Sequence, residues 1–304
     1  MTMRFLSLVL ASALVLVSAG CKKKQTIAAQ ATSLAPLSSA ATQALPLAGL
    51  GAAVVNVPEG VRSPAPVLVA VLGIGDTPEE QCDVWRELVG AHAFVICPRG
   101  AVHWIRDDVD AGAEDAPAAN DTSTETPSGG NEDDTAPSEK PVAPAPKPAE
   151  TGKLRAVGFY PVDVAKLDAE VSAAMKSLKQ RFGAYVDDRE PIYAGFSRGA
   201  FLGASLVAKH PDRFKRAILI EGGQSAWSAE SASAFAKGGG QRVLFACGQQ
   251  SCVEESESAA AFLKTEKVET KIVMGAEGHG YKKQVKDQVR RSLGWLTEGD
   301  PRWQ

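Results

Sequence analysis

From Val54 onward, short apolar runs alternate with amphipathic stretches, and nothing else in this 304-residue chain constrains the fold as strongly. Val67-Leu68-Val69-Ala70-Val71 has no polar alternation and reads as a strand buried on both faces. Ala93–Ile96, Ile192–Ala194, Ala217–Ile220, Val243–Ala246 and Thr270–Met274 read as further strands. Between them lie helical stretches over about 78–90, 162–182, 198–209 and 281–296. In the longest, Val164, Leu167, Val171, Met175 and Leu178 recur close to every 3.6 residues. Continuous apolar strands need cover on both faces, and intervening helices supply it. The expected class is therefore α/β, a mostly parallel sheet with helices on both faces.

Two segments stand apart. From Asp107 to residue 152 the chain is Ala, Pro, Ser, Thr, Gly and Asn with a dozen acidic residues and two lysines. It has too little apolar surface to offset its ordering entropy, so it reads as a disordered acidic insert within a domain spanning 53–304. Its removal leaves the strand–helix rhythm intact. At the other end, Arg4 precedes an apolar run, Phe5 to Val17, too short to span a bilayer permanently. Val17-Ser18-Ala19-Gly20-Cys21 follows and resembles a bacterial lipobox. That resemblance implies a signal peptide over 1–20, cleavage before Cys21, acylation of its thiol and residence in the cell envelope, at the outer membrane. An ordinary signal peptide is the alternative. Residues 21–52, with Lys22, Lys23 and Lys24 and then Ala, Thr, Ser and Gln, read as a flexible tether. The lysines either lie against anionic headgroups or form a solvated charge run.

The chemistry centres on Gly195-Phe196-Ser197-Arg198-Gly199. A Gly-x-Ser-x-Gly string is informative only between a strand and a helix, and here Ile192–Ala194 precedes it and Arg198–Lys209 follows. That turn lifts the Ser197 hydroxyl above the carboxyl end of the sheet, beside a helix N-terminus that favours negative charge. A serine needs a base. Of the four histidines, His210 and His92 close helices, and His103 either lines the site or packs beside Trp104. His279, in Gly275-Ala276-Glu277-Gly278-His279-Gly280 directly after the last strand, is best placed to act as the general base.

With these residues in place the chain resembles the α/β-hydrolases, and within them the carboxylesterase/acyl-protein thioesterase group. Leu72-Gly73-Ile74-Gly75-Asp76-Thr77 is similar to that group's His-Gly-Leu-Gly-Asp-Thr, Ile96-Cys97-Pro98-Arg99 to the end of its next strand, and Gly195–Gly199 to Gly-Phe-Ser-Gln-Gly. The resemblance implies that the amides of Ile74 and Arg198 form an oxyanion hole. Leu72 replaces a histidine, a change the backbone amide survives. A second departure concerns the acid. The group places an aspartate after the penultimate strand, where this chain has Cys247-Gly248-Gln249-Gln250-Ser251-Cys252, with Ser251 at the matching place. Glu221, which ends the Ala217–Ile220 strand, is the first candidate to replace it, with Glu254 or Glu255 the alternatives and no acid the remaining reading.

Besides Cys21 the cysteines are Cys82, Cys97, Cys247 and Cys252, enough for two disulfides in three pairings. All four fall at the carboxyl edge of the expected sheet, which favours Cys82–Cys97 and Cys247–Cys252. No residues have zinc-ligand spacing and no glycine string fits a phosphate loop, so no metal or cofactor is implied. A net charge of −3 argues against nucleic acid as a partner. Arg99, Arg106 and Arg198 near the pocket mouth either favour an anionic substrate or pair with the insert.

The expected function is serine hydrolysis of a small carboxylic ester or thioester in the bacterial envelope, with the membrane contacted through the anchor on Cys21. The alternative is a non-catalytic envelope lipoprotein that keeps the fold for binding. The oligomeric state stays open.

Overall fold

The computed structural model describes residues 34–38, 42–106 and 154–303. The expected signal peptide, Cys21 and the acidic insert lie outside these residues. Ten strands and six α-helices are described: β1 Thr42–Leu47, β2 Gly51–Asn56, β3 Val67–Val71, α1 Pro78–Val89, β4 Phe94–Cys97, β5 Ala101–Arg106, β6 Leu154–Tyr160, α2 Val164–Phe182, β7 Ile192–Phe196, α3 Arg198–Lys209, β8 Arg216–Ile220, α4 Ala229–Lys237, β9 Arg242–Cys247, α5 Gln250–Thr265, β10 Glu269–Met274 and α6 Gln284–Thr297.

Eight strands form one sheet in the order β1-β2-β4-β3-β7-β8-β9-β10, parallel from β4 to β10. Its core has two layers, set by the two-residue period of each strand. Val67, Val69, Val71, Tyr193, Leu219 and Phe245 face α2 to α5, while Leu68, Ala70, Ala194, Ile218, Leu244 and Ala246 face α1 and α6. After β3 the chain runs outward to β4, and it later returns to place β7 on the other side of β3. Such a reversal leaves a crevice at the carboxyl ends of the strands, where open α/β sheets bind ligands.

The helices start and stop where local chemistry dictates. Thr77 caps α1, its hydroxyl accepting from the Glu80 amide, with Pro78 in the first helical position. Asp163 caps α2 in the same way through the Lys166 amide.

Two parts differ from expectation. The tether expected over 21–52 does not reach residue 52: β1 pairs antiparallel with β2, from Thr42↔Asn56 to Leu47↔Gly51, at the sheet edge. Composition hid a two-residue alternation in which Leu45 and Leu47 are buried while Ala44 and Pro46 are exposed. Proline is tolerated there because an edge strand leaves one side of its backbone unpaired. The second part is an antiparallel ribbon, β5–β6, whose outermost pair is Arg106↔Leu154. It sets Arg106 and Leu154, which flank the insert on either side, next to each other.

Both expected disulfides form. Cys82–Cys97 fastens α1 to β4, and Cys247–Cys252 closes the turn between β9 and α5.

Candidate active site

Ser197 occupies the sharp turn between β7 and α3, with φ 50° and ψ −117°. That conformation is costly for a residue with a Cβ and persists only where the surroundings enforce it. The Ser197 amide continues the sheet ladder by donating to Ile220 O at 2.8 Å. Below the turn, the buried Tyr193 hydroxyl donates to Gly199 O at 2.6 Å and holds the first turn of α3 against its own strand. Gly195 and Gly199 permit that approach: a Cβ on Gly195 would lie 2.5 Å from Gly199 O, and one on Gly199 2.5 Å from Val71 O.

His279 follows β10 and leans back over this turn. Its Nε2 lies 2.9 Å from Ser197 Oγ and its Nδ1 3.2 Å from Glu221 Oε2. Phe196 packs against the imidazole with ring centroids 5.2 Å apart, and Tyr281 also packs against Phe196 at 4.4 Å. Tyr281 donates in turn to Gln81 Oε1, and burial pushes its phenol well above the usual range. The histidine side chain is 53% exposed whereas the Glu221 carboxylate is 1% exposed. Solvent therefore reaches the imidazole while the carboxylate stays out of water.

Of the three carboxylates the sequence left open, beside the reading with no acid, Glu221 is the one within hydrogen-bond distance of His279. It stands directly after β8 with φ 50°, its amide donating to Ala246 O at 3.0 Å. Its Oε1 accepts from the Gly248 amide and its Oε2 from Gln249 Nε2 at 2.9 Å. These donors replace the hydration a buried carboxylate loses. Glu254 and Glu255 lie exposed on α5, and Glu254 accepts from Gln250 one turn away, so neither reaches His279. Ser251 falls in the first turn of α5.

The oxyanion loop, Gly73 to Asp76, passes close to the nucleophile: a Cβ on Gly73 would lie 3.2 Å from the Ser197 Cβ. This brings Ile74 beside Ser197, with its side chain turned largely to solvent. Arg198 is the first residue of α3, and first-turn amides have no acceptor within their own helix. The β5–β6 ribbon holds the loop from outside. Gly75 N donates to Phe159 O and Phe159 N to Asp76 O, both at 3.0 Å, and a Cβ on Gly158 would sit 2.2 Å from Gly75 O.

The other sequence candidates are placed elsewhere. His210 caps α3 and lies 3.4 Å from Asp168, His92 is exposed beyond α1, and His103 packs edge-on against Tyr160. Arg99 pairs with Glu79 at 2.6 Å and stacks over Phe159. Arg198 donates to Pro161 O at 2.7 Å and Val162 O at 2.6 Å, tying α3 to the entry of α2. Both guanidiniums thus hold the scaffold instead of waiting for an anion. The Arg106 side chain is outside the described atoms.

Beside His279 a depression of about 330 Å³ is lined by Asp76, Phe196, Tyr281, Lys282 and Lys283 among others. Burial raises the Asp76 carboxyl above its usual value, with Lys282, 3.9 Å away, and the Gly73 amide opposing the rise. Sequence reasoning missed Asp76 as a lining group although it sits in the string quoted above, and it missed Tyr281 and the two lysines, which only loop geometry brings to the site. Glu221, Cys247 and Cys252 also bring ligand-type atoms within 4.8 Å of one another, but both sulfurs are joined in the disulfide.

No protein-family model matches the chain, and no curated protein matches it. Solved structures do. A fluorophosphonate-binding serine hydrolase of Staphylococcus aureus superposes with a TM-score of 0.50 at 11% identity, over 84% of this chain and 97% of that one. An S-formylglutathione hydrolase of the same species gives 0.50 at 13%, over 87% and 100%. A thermostable esterase gives 0.48 at 15%, over 84% of this chain, which spans 62% of that enzyme's length. At such identities the likeness to the two structures at 0.50 speaks for a shared fold. The fold is that of the α/β-hydrolases.

Proposed function

We propose that this chain is a serine hydrolase of carboxylic esters or thioesters acting through an acyl-enzyme on Ser197. One observation carries the reading: the continuous chain from Ser197 Oγ through His279 to the buried Glu221, at 2.9 and 3.2 Å. His279 Nε2 takes the hydroxyl proton as Ser197 Oγ attacks the acyl carbon, and Glu221 balances the charge the imidazole acquires. The tetrahedral oxyanion falls to the amides of Ile74 and Arg198, each contributing about 3 kcal/mol. His279 then returns the proton to the leaving alcohol or thiol, and a water activated by the same imidazole frees the acid. The shallow depression beside His279 favours a small acyl group or leaving group.

The envelope location belongs to the same proposal and rests on the sequence around Cys21, which predicts incorporation of labelled palmitate that Cys21→Ala abolishes. The hydrolase is tested by a fluorophosphonate probe on the folded protein. Labelling that disappears in Ser197→Ala, with p-nitrophenyl ester turnover falling by about 10⁶, is the expected result. A folded wild type that neither labels nor turns over the ester sinks the reading and leaves a binding protein.

A further inference from the structure

Glu221 arises from β8, yet the groups that fix its carboxylate arise from the next strand. The turn after β9, Gly248 to Ser251, places the Gly248 amide on Oε1 and the Gln249 side-chain amide on Oε2, the same oxygen that faces His279. The turn also touches the loop carrying the base. Gly278 N donates to Gly248 O at 3.0 Å, and a Cβ on Gly248 would lie 2.0 Å from Gly278 O. Two consecutive turn residues, Gly248 and Gln249, therefore touch both ends of the Glu221–His279 hydrogen bond.

Cys247, the last residue of β9, and Cys252, in the first turn of α5, close that turn with Cα atoms 5.6 Å apart. The pair is buried, and Gln224 Nε2 packs on its inner side, 3.1 Å from Cys252 Sγ. Without the cross-link Gln249 would be held by the covalent chain on either side and by the hydrogen bonds that it and Gly248 make to Glu221 and Gly278.

We infer that the Cys247–Cys252 disulfide, with Gly248 and Gln249, is a positioning clamp for Glu221, so that turnover depends on this pair staying oxidised. The inference rests on the proposed hydrolase. Gln249 and the cysteines touch no reacting atom; they act through the acid. Reduction by a dithiol carries two electrons and two protons to the sulfurs, leaving two thiols while the reagent closes to its own disulfide, and the turn is released.

The test compares oxidised wild type with Cys247→Ala/Cys252→Ala and with Gln249→Met. It follows kcat and KM on a short-chain p-nitrophenyl ester, the thermal midpoint, and the downfield proton resonance of the His279 Nδ1–H hydrogen bond. Misplacing a catalytic group by 1 Å costs about a hundredfold. The expectation is that kcat falls on the order of ten- to a hundredfold in both variants, KM stays within about twofold, and the resonance is lost. Dithiothreitol reproduces the loss in the wild type, and reoxidation reverses it. If the double variant does not fold, Gln249→Met decides alone. Folded variants that keep both kcat and the resonance overturn the clamp. A wild type that shows the resonance but neither turns over ester nor labels sinks the hydrolase instead, and the resonance still decides the clamp.

Discussion

The two edges of the sheet hold the same kinds of side chain to opposite ends. At the carboxyl edge, Glu221 is buried but its partner His279 is half exposed, and the residues that carry both acid and nucleophile sit at φ 50°. At the amino edge, Arg216 opens β8 and pairs with Asp300 at 3.1 Å. Arg302 pairs with Asp300 at 2.6 Å, and Arg189 with Asp187 at 2.5 Å. Arg216 and Asp300 are both under one-tenth exposed, so each neutralises the other away from water. The amino edge is densely paired around a depression of about 340 Å³, although Arg216 Nε has no hydrogen-bond partner, and through Arg302 it fastens the carboxyl-terminal 3₁₀ turn, Pro301–Trp303, to Asp187 and Arg189. The carboxyl edge keeps a strained serine and an accessible imidazole, which stability alone would not select. The ion pairs of the amino edge tie the chain together, while the hydrogen-bonded groups of the carboxyl edge converge on Ser197.

If that contrast holds, substitutions at the two edges separate activity from stability. Glu221→Gln keeps the shape but removes the counter-charge for His279, so kcat on the ester should fall by about 10⁴ with little change in thermal midpoint. A loss below tenfold would make the acid decorative. Gly158→Ala pushes a methyl into Gly75 O and shifts the oxyanion loop. Loss of one oxyanion donor predicts a kcat decrease of about 10²–10³, measured alongside a slower fluorophosphonate labelling rate.

At the other edge the expected effects lie in stability. Asp300→Ala leaves Arg216 buried and unpaired, and should cost about 3–5 kcal/mol in denaturant unfolding while kcat at 25 °C stays unchanged. The same pair makes stability pH-dependent. Burial alone would raise the Asp300 carboxyl, but the hydrogen bonds and charge of Arg302, with Arg216, bring it below its usual value; Arg189 lowers Asp187 likewise. Carboxylates whose pKa is depressed in the folded state stabilise it fully above about pH 4, their unfolded value, and lose that contribution as pH falls through the folded value. Urea unfolding from pH 6 to 2 should show this decline, and Asp300→Ala should flatten it. The smallest effect is reserved for Glu254→Gln/Glu255→Gln: with both carboxylates exposed on α5, kcat and stability should each move by less than about twofold or 0.5 kcal/mol.

Much of the scaffold was legible in the residues. The central strands are runs such as Val67–Val71 whose apolar character has no other explanation, and the Gly-x-Ser-x-Gly turn declares itself once a strand precedes it and a helix follows. The edge was not legible. Leu45 and Leu47 are too few to outweigh the Ala, Thr and Gln around them, and β1 becomes a strand only because β2 pairs with it. The β5–β6 ribbon escaped for a related reason: its two strands flank an insert of low complexity, and their pairing is visible only when the ends are brought together. His279 could be chosen from its position after the last strand. The lysines of the neighbouring depression could not, since nothing local distinguishes Lys282 and Lys283 from a solvated pair.

By itself the sequence pointed to the α/β class, to Ser197 and His279 and to the favoured cysteine pairing, because each follows from periodicity, from a short turn or from a place at the carboxyl edge of the sheet. Only the tertiary structure brings Glu221, and not Glu254 or Glu255, to His279, although the three lie 34 or fewer positions from one another in the chain. That choice depends on β8 lying between β7 and β9, and on the β9–α5 turn offering its amides to a neighbouring strand's carboxylate. Contacts between strands are paid for by packing across the whole sheet, and no local stretch of residues encodes them.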